Sequence, residues 1–299
     1  MQVLVSGSTG LVGGALVPAL EAAGHHVTRL VRQPLAAGED VLTWDPPARG
    51  PDADALQEFD AVIHLAGESV AHRWTENHKA RIRTSRVTGT ALLAQALAAA
   101  RIPPRALIAA SAVGYYGNRG AELLNESSAS GTGFLAEVCR DWEAATEPAA
   151  ANGLRVVNLR LGMVLSRKGG ALARMLPAFR MGLGGPIAGG EQYISWIALD
   201  DLVQVILFTL TETSLRGAVN AVAPRPATNA EFTHTLAKLL HRPAVLPLPA
   251  SAVRLLFGEM GQELLLSSQR AEPTRLLAAG FHFEYPDIES ALRHILKTA

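Results

Sequence analysis

Gln2-Val-Leu-Val-Ser6 runs directly into Gly7-Ser-Thr-Gly10-Leu-Val-Gly13, and one helix length later comes His26-Val-Thr-Arg-Leu-Val31, ending against Arg32. The first run has the composition of a buried strand, the glycines mark a tight turn, and a helix opens at Leu11. A glycine-rich turn between strand and helix lets the backbone approach a pyrophosphate. The exposed N–H groups and positive dipole end of the helix then hold the anion. The spacing is GxxGxxG, and the residue after the second strand is Arg32. An acid there would bind an adenosine 2′-hydroxyl, whereas a guanidinium suits a 2′-phosphate. Residues 2–32 therefore predict an NADP(H) site at the edge of a Rossmann-type sheet.

Beyond Arg32, Val41-Leu-Thr-Trp44 is a short strand candidate and Asp60-Ala-Val-Ile-His64 a buried one, leading into Leu65-Ala66-Gly67-Glu68. Apolar residues near helical spacing run from about Thr75 to Ala100 and stop before Pro103-Pro104. Ala106-Leu-Ile-Ala109 reads as a fifth strand, a helix follows around Phe134 to Ala151, and Arg155-Val-Val-Asn-Leu159 is the sixth strand. Strands alternating with helices predict an α/β fold: a doubly wound parallel sheet with right-handed crossovers. Beyond Leu165 the pattern becomes irregular. Gly169-Gly170 and Gly182-Leu-Gly-Gly185-Pro186 punctuate a segment that is neither long helix nor clean strand. Asn229 is expected to cap a helix reaching Leu240, Asp200 and Asp201 to cap one beginning near Leu202, and Tyr285-Pro286-Asp287 to start a terminal helix. The expected division is a cofactor domain over 1–225, its sheet core within about 1–165, and a small substrate-side lobe over 245–297.

Of the 299 residues, 48% are apolar and 18% charged, which predicts a folded chain with a sizeable core. The 27 basic residues balance 27 acidic ones, leaving no net field to attract nucleic acid or an anionic membrane. The single cysteine, Cys139, has no partner for an internal disulfide and fits a reducing compartment. No run of 18 uncharged apolar residues suggests a membrane span, and a signal peptide would have to consume the cofactor site. The expectation is a cytoplasmic protein with a small-molecule substrate. His25-His26, His64, His72 and His78 form no HExxH or Cys/His cluster, so no metal site is predicted.

Further pieces carry a resemblance: His64-Leu-Ala-Gly67-Glu68, Arg83-Thr-Ser-Arg86, Ser111-Ala-Val-Gly-Tyr-Tyr-Gly117 and Arg160-Leu-Gly-Met-Val-Leu165. Gly182-Leu-Gly-Gly-Pro-Ile187, Trp196-Ile-Ala-Leu-Asp-Asp201, Thr228-Asn-Ala-Glu-Phe232 and Gly280-Phe-His-Phe-Glu-Tyr-Pro286 follow in order. Together with the glycine turn, they resemble the extended short-chain dehydrogenase/reductase superfamily. Within it they are similar to the atypical epimerase-like, YfcH-like branch of the NAD-dependent epimerase/dehydratase proteins, which carry a small C-terminal module. Motif and resemblance together imply that cofactor is bound by Gly7, Thr9, Gly10, Leu11, Val12 and Gly13 in the turn, with Val31 and Arg32 after the second strand. Leu65, Ala66 and Gly67, then Arg81 and Arg86, and finally Ser111, Arg160 and Val164 complete the implied contacts.

Hydride transfer in the superfamily is served by a Ser or Thr, a Tyr base and a Lys four residues later. Ser111 stands for the first. Aligned on the glutamate that closes the family's helix, Leu135 occupies the place of Tyr and Cys139 that of Lys. Leucine moves no proton, and a neutral thiol supplies no cationic field. Tyr115 and Tyr116, just past the fifth strand, are the substitutes, and either needs a nearby cation to lose its proton near neutral pH. Cys139 as a nucleophile lacks a basic partner in the sequence; the competing reading is a small buried hydrophobe. Two functions follow. One is an NADP(H)-binding, epimerase-like oxidoreductase with an atypical active site; the other is a catalytically silent NADP(H)-bound regulatory or redox-sensing protein.

Overall fold

Seven parallel strands form the centre of the protein: β1 (Gln2–Ser6), β2 (His26–Val31), β3 (Val41–Thr43), β4 (Ala61–His64), β5 (Ala106–Ala112), β6 (Arg155–Leu161) and β7 (Gly217–Ala221). The structure is a computed structural model that describes residues 1–33, 40–46 and 48–297. Across the sheet the order is β7-β6-β5-β4-β1-β2-β3, so the direction of strand addition reverses between β1 and β4. At that reversal the connections leave to opposite sides and open a crevice at the strands' C-terminal ends. The register is regular: Leu4 lies beside Val62 and Thr28, and Val62 beside Leu107.

Side chains on alternate faces bury different layers. Val3, Val5, Ile63, Ile108 and Val157 face α1 (Leu11–Ala22) and a later helix carrying Leu202, Val205 and Ile206. Leu4, Val62, Leu107 and Val156 face α2 (Glu76–Ala99), through Leu93 and Leu97. Strands buried on both faces need continuous apolar runs, which is why β1, β4 and β5 stand out in the sequence. Thr75 caps α2 through its side chain, which accepts the His78 N–H at 3.2 Å.

Several expectations are corrected. The helix expected over Phe134–Ala151 is two, α3 (Phe134–Ala144) and α4 (Glu147–Ala151), broken where the Thr146 hydroxyl donates to the Glu143 carbonyl. The irregular stretch after Leu165 contains α5 (Gly170–Arg180). Helix α6 (Leu199–Thr211) begins three residues before Leu202, so neither Asp200 nor Asp201 is its cap. Asp201 is buried and accepts the amides of Glu284 at 2.8 Å and Tyr285 at 3.0 Å. Burial raises its pKa against the pull of those two amides. In α7 (Asn229–Leu240) the cap is Thr228, whose capping box with Glu231 satisfies two N–H groups reciprocally. Asn229 instead accepts the Ile187 amide at 2.7 Å.

The remaining helices are α8 (Ala250–Leu264), kinked at Gly258, then α9 (Thr274–Ala278) and α10 (Ile288–Lys297). Helices α5, α7 and α10 share one core around Trp196, Phe232 and Leu292. Arg275 on α9 donates to the carbonyls of Arg216 and Ala218, stitching the C-terminal lobe to the edge strand β7. Buried Arg155 donates to the Thr209 and Leu210 carbonyls, capping the end of α6. Among the described residues no helix is long and apolar enough to cross a membrane.

Candidate cofactor and substrate site

The three glycines of the turn do different work. Gly7 has φ +70°, and a Cβ there would lie 2.7 Å from the Leu65 carbonyl carbon, so only glycine lets β1 close onto the loop after β4. A Cβ on Gly13 would strike the Gly7 carbonyl and sit 2.6 Å from the Ser8 Cα, so this glycine packs helix onto turn. Gly10 is extended, with φ −77° and ψ 177°, and a Cβ there would meet only the Gly7 oxygen, at 3.3 Å. Its missing side chain therefore keeps open the approach to the start of α1. That helix has no side-chain cap and no acid in its first turn, so its leading N–H groups and dipole are free to take an anion. The Ser8 hydroxyl is buried with no hydrogen-bond partner among the described residues. An open approach, free donors and an orphaned hydroxyl fit a dinucleotide's pyrophosphate and ribose.

Thr9 is exposed beside this opening, and Leu11 packs under Gly169 and Gly170, which brings the segment after Val164 over the start of α1. Val12 joins the core beneath, and Val164 lies partly buried, paired with Ile197. Val31 pairs with Thr43, and Arg32 lies exposed at the tip of β2. Beyond β4, Leu65 and Ala66 back onto Gly7, while Gly67 lies against the guanidinium of Arg86, 3.3 Å from where its Cβ would be. Arg86 donates to the Glu68 carbonyl at 2.9 Å and stacks 5.1 Å from the Trp142 ring. Burial lowers its pKa, opposed by Cys139 and Glu68. A phosphate nearby would complete this under-partnered cation. Arg81 is at the rim, its Nε 3.7 Å from the Glu68 carboxylate.

The residues expected to carry chemistry separate into two groups. Ser111 is 2% exposed, and its hydroxyl donates to Glu143 Oε1 at 2.7 Å. Arg160 holds the same carboxylate with Nε at 2.8 Å and Nη2 at 2.9 Å, and its Nη1 donates to the Tyr116 hydroxyl at 2.9 Å. Burial opposes the Arg160 charge, but Glu143 and Tyr116 outweigh it and raise its pKa. Tyr116 is fully buried, with Asn220 Oδ1 at 2.7 Å and the Asn125 carbonyl at 2.9 Å from its hydroxyl. Burial raises its pKa, despite Arg160. Ser111, Arg160 and Tyr116 thus form one closed network beneath the cleft. Tyr115 is half-buried and belongs to the other group, its ring centroid 3.5 Å from the Arg160 guanidinium carbon.

At the start of α3, the Leu135 and Cys139 side chains lie beneath Gly114. The Cys139 thiol is buried, and burial together with Glu143 pushes its pKa up to about 12, against the opposing pull of Arg86. A thiol held neutral there is not a nucleophile near neutral pH. Beside Leu135 is a cavity of about 160 Å3. Thr132, Gln262, Glu263 and Gln269 give it polar walls. Glu263, from α8, accepts the Phe134 and Leu135 amides at 2.8 and 2.9 Å, so the C-terminal lobe caps the helix on which the family places its Tyr–Lys pair. Among the described residues no group of His, Cys, Asp or Glu side chains is arranged to hold a metal.

Sequence reasoning missed Glu143 as a shared acceptor, Glu263 as a cap and Ser8 as an orphan. Ser8 has a signal in its place inside the glycine turn, and Glu143 in closing the helix at the family's spacing, although its partner Arg160 is 17 positions away; the Glu263 cap depends on pairing across 129 positions.

Residues 3–221 match the NAD dependent epimerase/dehydratase family, and residues 248–295 match DUF1731, a domain of unknown function. Epimerase family protein Mb2239 of Mycobacterium bovis is 47% identical over 291 residues, 97% of this chain and 96% of the relative. The human epimerase family protein SDR39U1 is 39% identical over 300 residues, 99% of this chain and all of the relative. The crystal structure of human SDR39U1 (isoform 2) with NADPH superposes with a TM-score of 0.91 at 38% identity, covering 100% of both chains. A nucleoside-diphosphate sugar epimerase from Corynebacterium glutamicum follows with a TM-score of 0.82 at 39% identity, covering 99% of this chain and 58% of that one. The chain belongs to the NAD dependent epimerase/dehydratase family.

Proposed function

We propose that the protein binds NADP(H) and is an epimerase-like oxidoreductase acting on a small polar substrate in the cytoplasm. The observation that carries the cofactor reading is the glycine turn, where Gly7 and Gly13 are filled by backbone while Gly10 is left open beside an uncapped helix. The α1 N–H groups hold the pyrophosphate, Arg32 takes the adenosine 2′-phosphate, and Arg86 supplies a second cation beside Gly67. That human SDR39U1 was crystallised with NADPH supports the same reading. Bound here, the nicotinamide supplies a hydride donor or acceptor.

The substrate side rests on the polar cavity next to Leu135, where Thr132, Gln262, Glu263 and Gln269 offer hydrogen bonds. Of the two tyrosines, Tyr115 is assigned the proton transfer, because the Tyr116 hydroxyl is already engaged by Asn220, Asn125 and Arg160. A second reading, a protein that binds cofactor without turning over, is favoured by Leu135 and the neutral Cys139 thiol in place of the Tyr–Lys pair.

Calorimetry with NADPH and NADH tests the first statement. A charge-assisted guanidinium–phosphate pair predicts NADPH tighter by roughly tenfold or more, and Arg32→Ala is expected to collapse that ratio with NADH affinity kept. Equal affinities in the wild type would overturn it. Oxidation of bound NADPH by a panel of small carbonyl compounds separates the two readings.

A further inference from the structure

Between the tips of β2 and β3 lies a cavity of about 410 Å3, lined by Arg32 and Arg49 together with Thr43, Trp44, Asp45 and Asp52. Its floor is fixed by the sheet: Val31 pairs with Thr43, and the Trp44 amide donates to the Val31 carbonyl at 3.0 Å, which puts Trp44 next to Arg32. Its far wall is fixed by a backbone turn, in which the Arg49 amide donates to the Asp45 carbonyl at 2.7 Å. Gly50 anchors that turn on α2, since a Cβ there would lie 2.8 Å from the Leu92 carbonyl oxygen. Arg49 is therefore presented to the cavity from a held position, although it lies outside every motif of the sequence.

Neither Arg32 nor Arg49 makes an ion pair or side-chain hydrogen bond with another described residue, and both guanidiniums are exposed to the cavity. The charges of the lining are two guanidiniums and two carboxylates. A phosphate monoester carries about −1.5 to −2 near neutral pH. With Arg32 as the only cation, the lining would present a net negative charge to that phosphate and favour the hydroxyl of NAD(H). With Arg49 the field is balanced and two planar forks can share the phosphate oxygens.

We propose that Arg49 is the second guanidinium of the 2′-phosphate site and, with Arg32, sets the preference for NADP(H). The inference rests on the NADP(H) reading above. Two forks on one phosphate make the contributions of Arg32 and Arg49 interdependent, because the second cation works against a charge the first has already partly neutralised.

The test uses the full chain and four probes: NADPH, NADH, 2′,5′-ADP and 5′-AMP, titrated calorimetrically against wild type, Arg49→Ala, Arg49→Lys and Arg32→Ala, each checked for an unchanged melting curve. Arg49→Ala is expected to weaken NADPH and 2′,5′-ADP by about tenfold while leaving NADH and 5′-AMP as in the wild type, and Arg49→Lys to recover part of the loss. Unchanged NADPH binding by Arg49→Ala, with the preference lost in Arg32→Ala, overturns the role of Arg49 and leaves the NADP(H) reading standing. Equal loss for all four probes also overturns it, since Arg49 would then only shape the cavity. A wild type that binds NADPH and NADH equally removes both.

Discussion

The turn at Gly7–Gly13 and the start of α3 at Phe134–Cys139 face the same edge of the same sheet, yet they are built in different ways. The turn works through backbone: an absent side chain at Gly10, uncapped N–H groups on α1 and two glycines pressed against carbonyls. The start of α3 is where the family places its reactive side chains, and here it holds Leu135, Cys139 and a cap lent by Glu263. Binding built from backbone survives changes in most side chains, whereas proton transfer depends on the identity of one or two. A protein can therefore keep its cofactor geometry while its chemistry moves to another group or stops.

The largest effect is expected on the chemical side. If Tyr115 moves the proton, Tyr115→Phe loses ~10²–10⁴ in turnover with NADPH affinity kept, the usual scale for removing a general acid. Tyr116→Phe is expected to behave in the opposite sense. It leaves Asn220 and Arg160 short of a partner at a cost of about 1–3 kcal/mol, read as a lower melting temperature, with turnover reduced far less. Steady-state kinetics beside thermal melts separate the two, and a Tyr115→Phe enzyme at full rate would remove the phenol from the mechanism.

The turn itself offers the next contrast. Gly13→Val drives a branched side chain into the Gly7 carbonyl and is expected to cost about 3 kcal/mol and to lose cofactor binding with it. Gly10→Ala meets only one oxygen, at 3.3 Å, in a conformation open to any residue, so its melting curve stays near wild type while NADPH binding weakens. Calorimetry paired with melts checks this. If both variants lost stability equally, the division of the turn into packing and approach glycines would be wrong.

The same contrast explains what can be read from the sequence. β1, β4 and β5 are visible because strands buried on both faces require unbroken apolar runs. β2, half-exposed and carrying Thr28 and Arg29, is legible from its place one helix length after the glycine turn, whose spacing carries its own geometry. β7, Gly217-Ala-Val-Asn-Ala221, lacks a strand signature: it opens on glycine and carries Asn220, whose polarity is answered by Tyr116 and by the Glu272 carbonyl. Helix α5 was hidden by Gly170 and Pro177. The Thr228-x-x-Glu231 spacing carries the signature of the true cap of α7, one residue before Asn229. Asp201 could not be placed, since the amides it accepts are 83 and 84 residues away. The fifth strand runs three residues past the expected Ala109, so Ser111 lies within β5 rather than just beyond it, and its engagement with Glu143 is a tertiary fact.

One buried chain of hydrogen bonds runs from the end of β1, just before the turn, to the second half of α3, and it contains a titratable group. His64 ends β4 beneath the turn, with Ser6 Oγ 2.6 Å from Nδ1 and Thr90 Oγ1 3.0 Å from Nε2; Thr90 in turn accepts Trp142 Nε1 at 2.9 Å from α3. The imidazole is fully buried and meets hydroxyls, not charges, among the described residues, and burial lowers its pKa from 6.5 to about 4. The unfolded chain therefore binds a proton at His64 below pH 6.5 while the native state resists it down to about pH 4. Its contribution to stability is intact above the unfolded value, starts to fall below it and is lost progressively toward pH 4. Between pH 7 and pH 5 the loss is about 2 kcal/mol. Urea unfolding at the two pH values reads the difference, and His64→Gln is expected to flatten it while lowering stability at pH 7 through lost packing. An equal drop in the variant and the wild type would assign the acid sensitivity to groups other than His64.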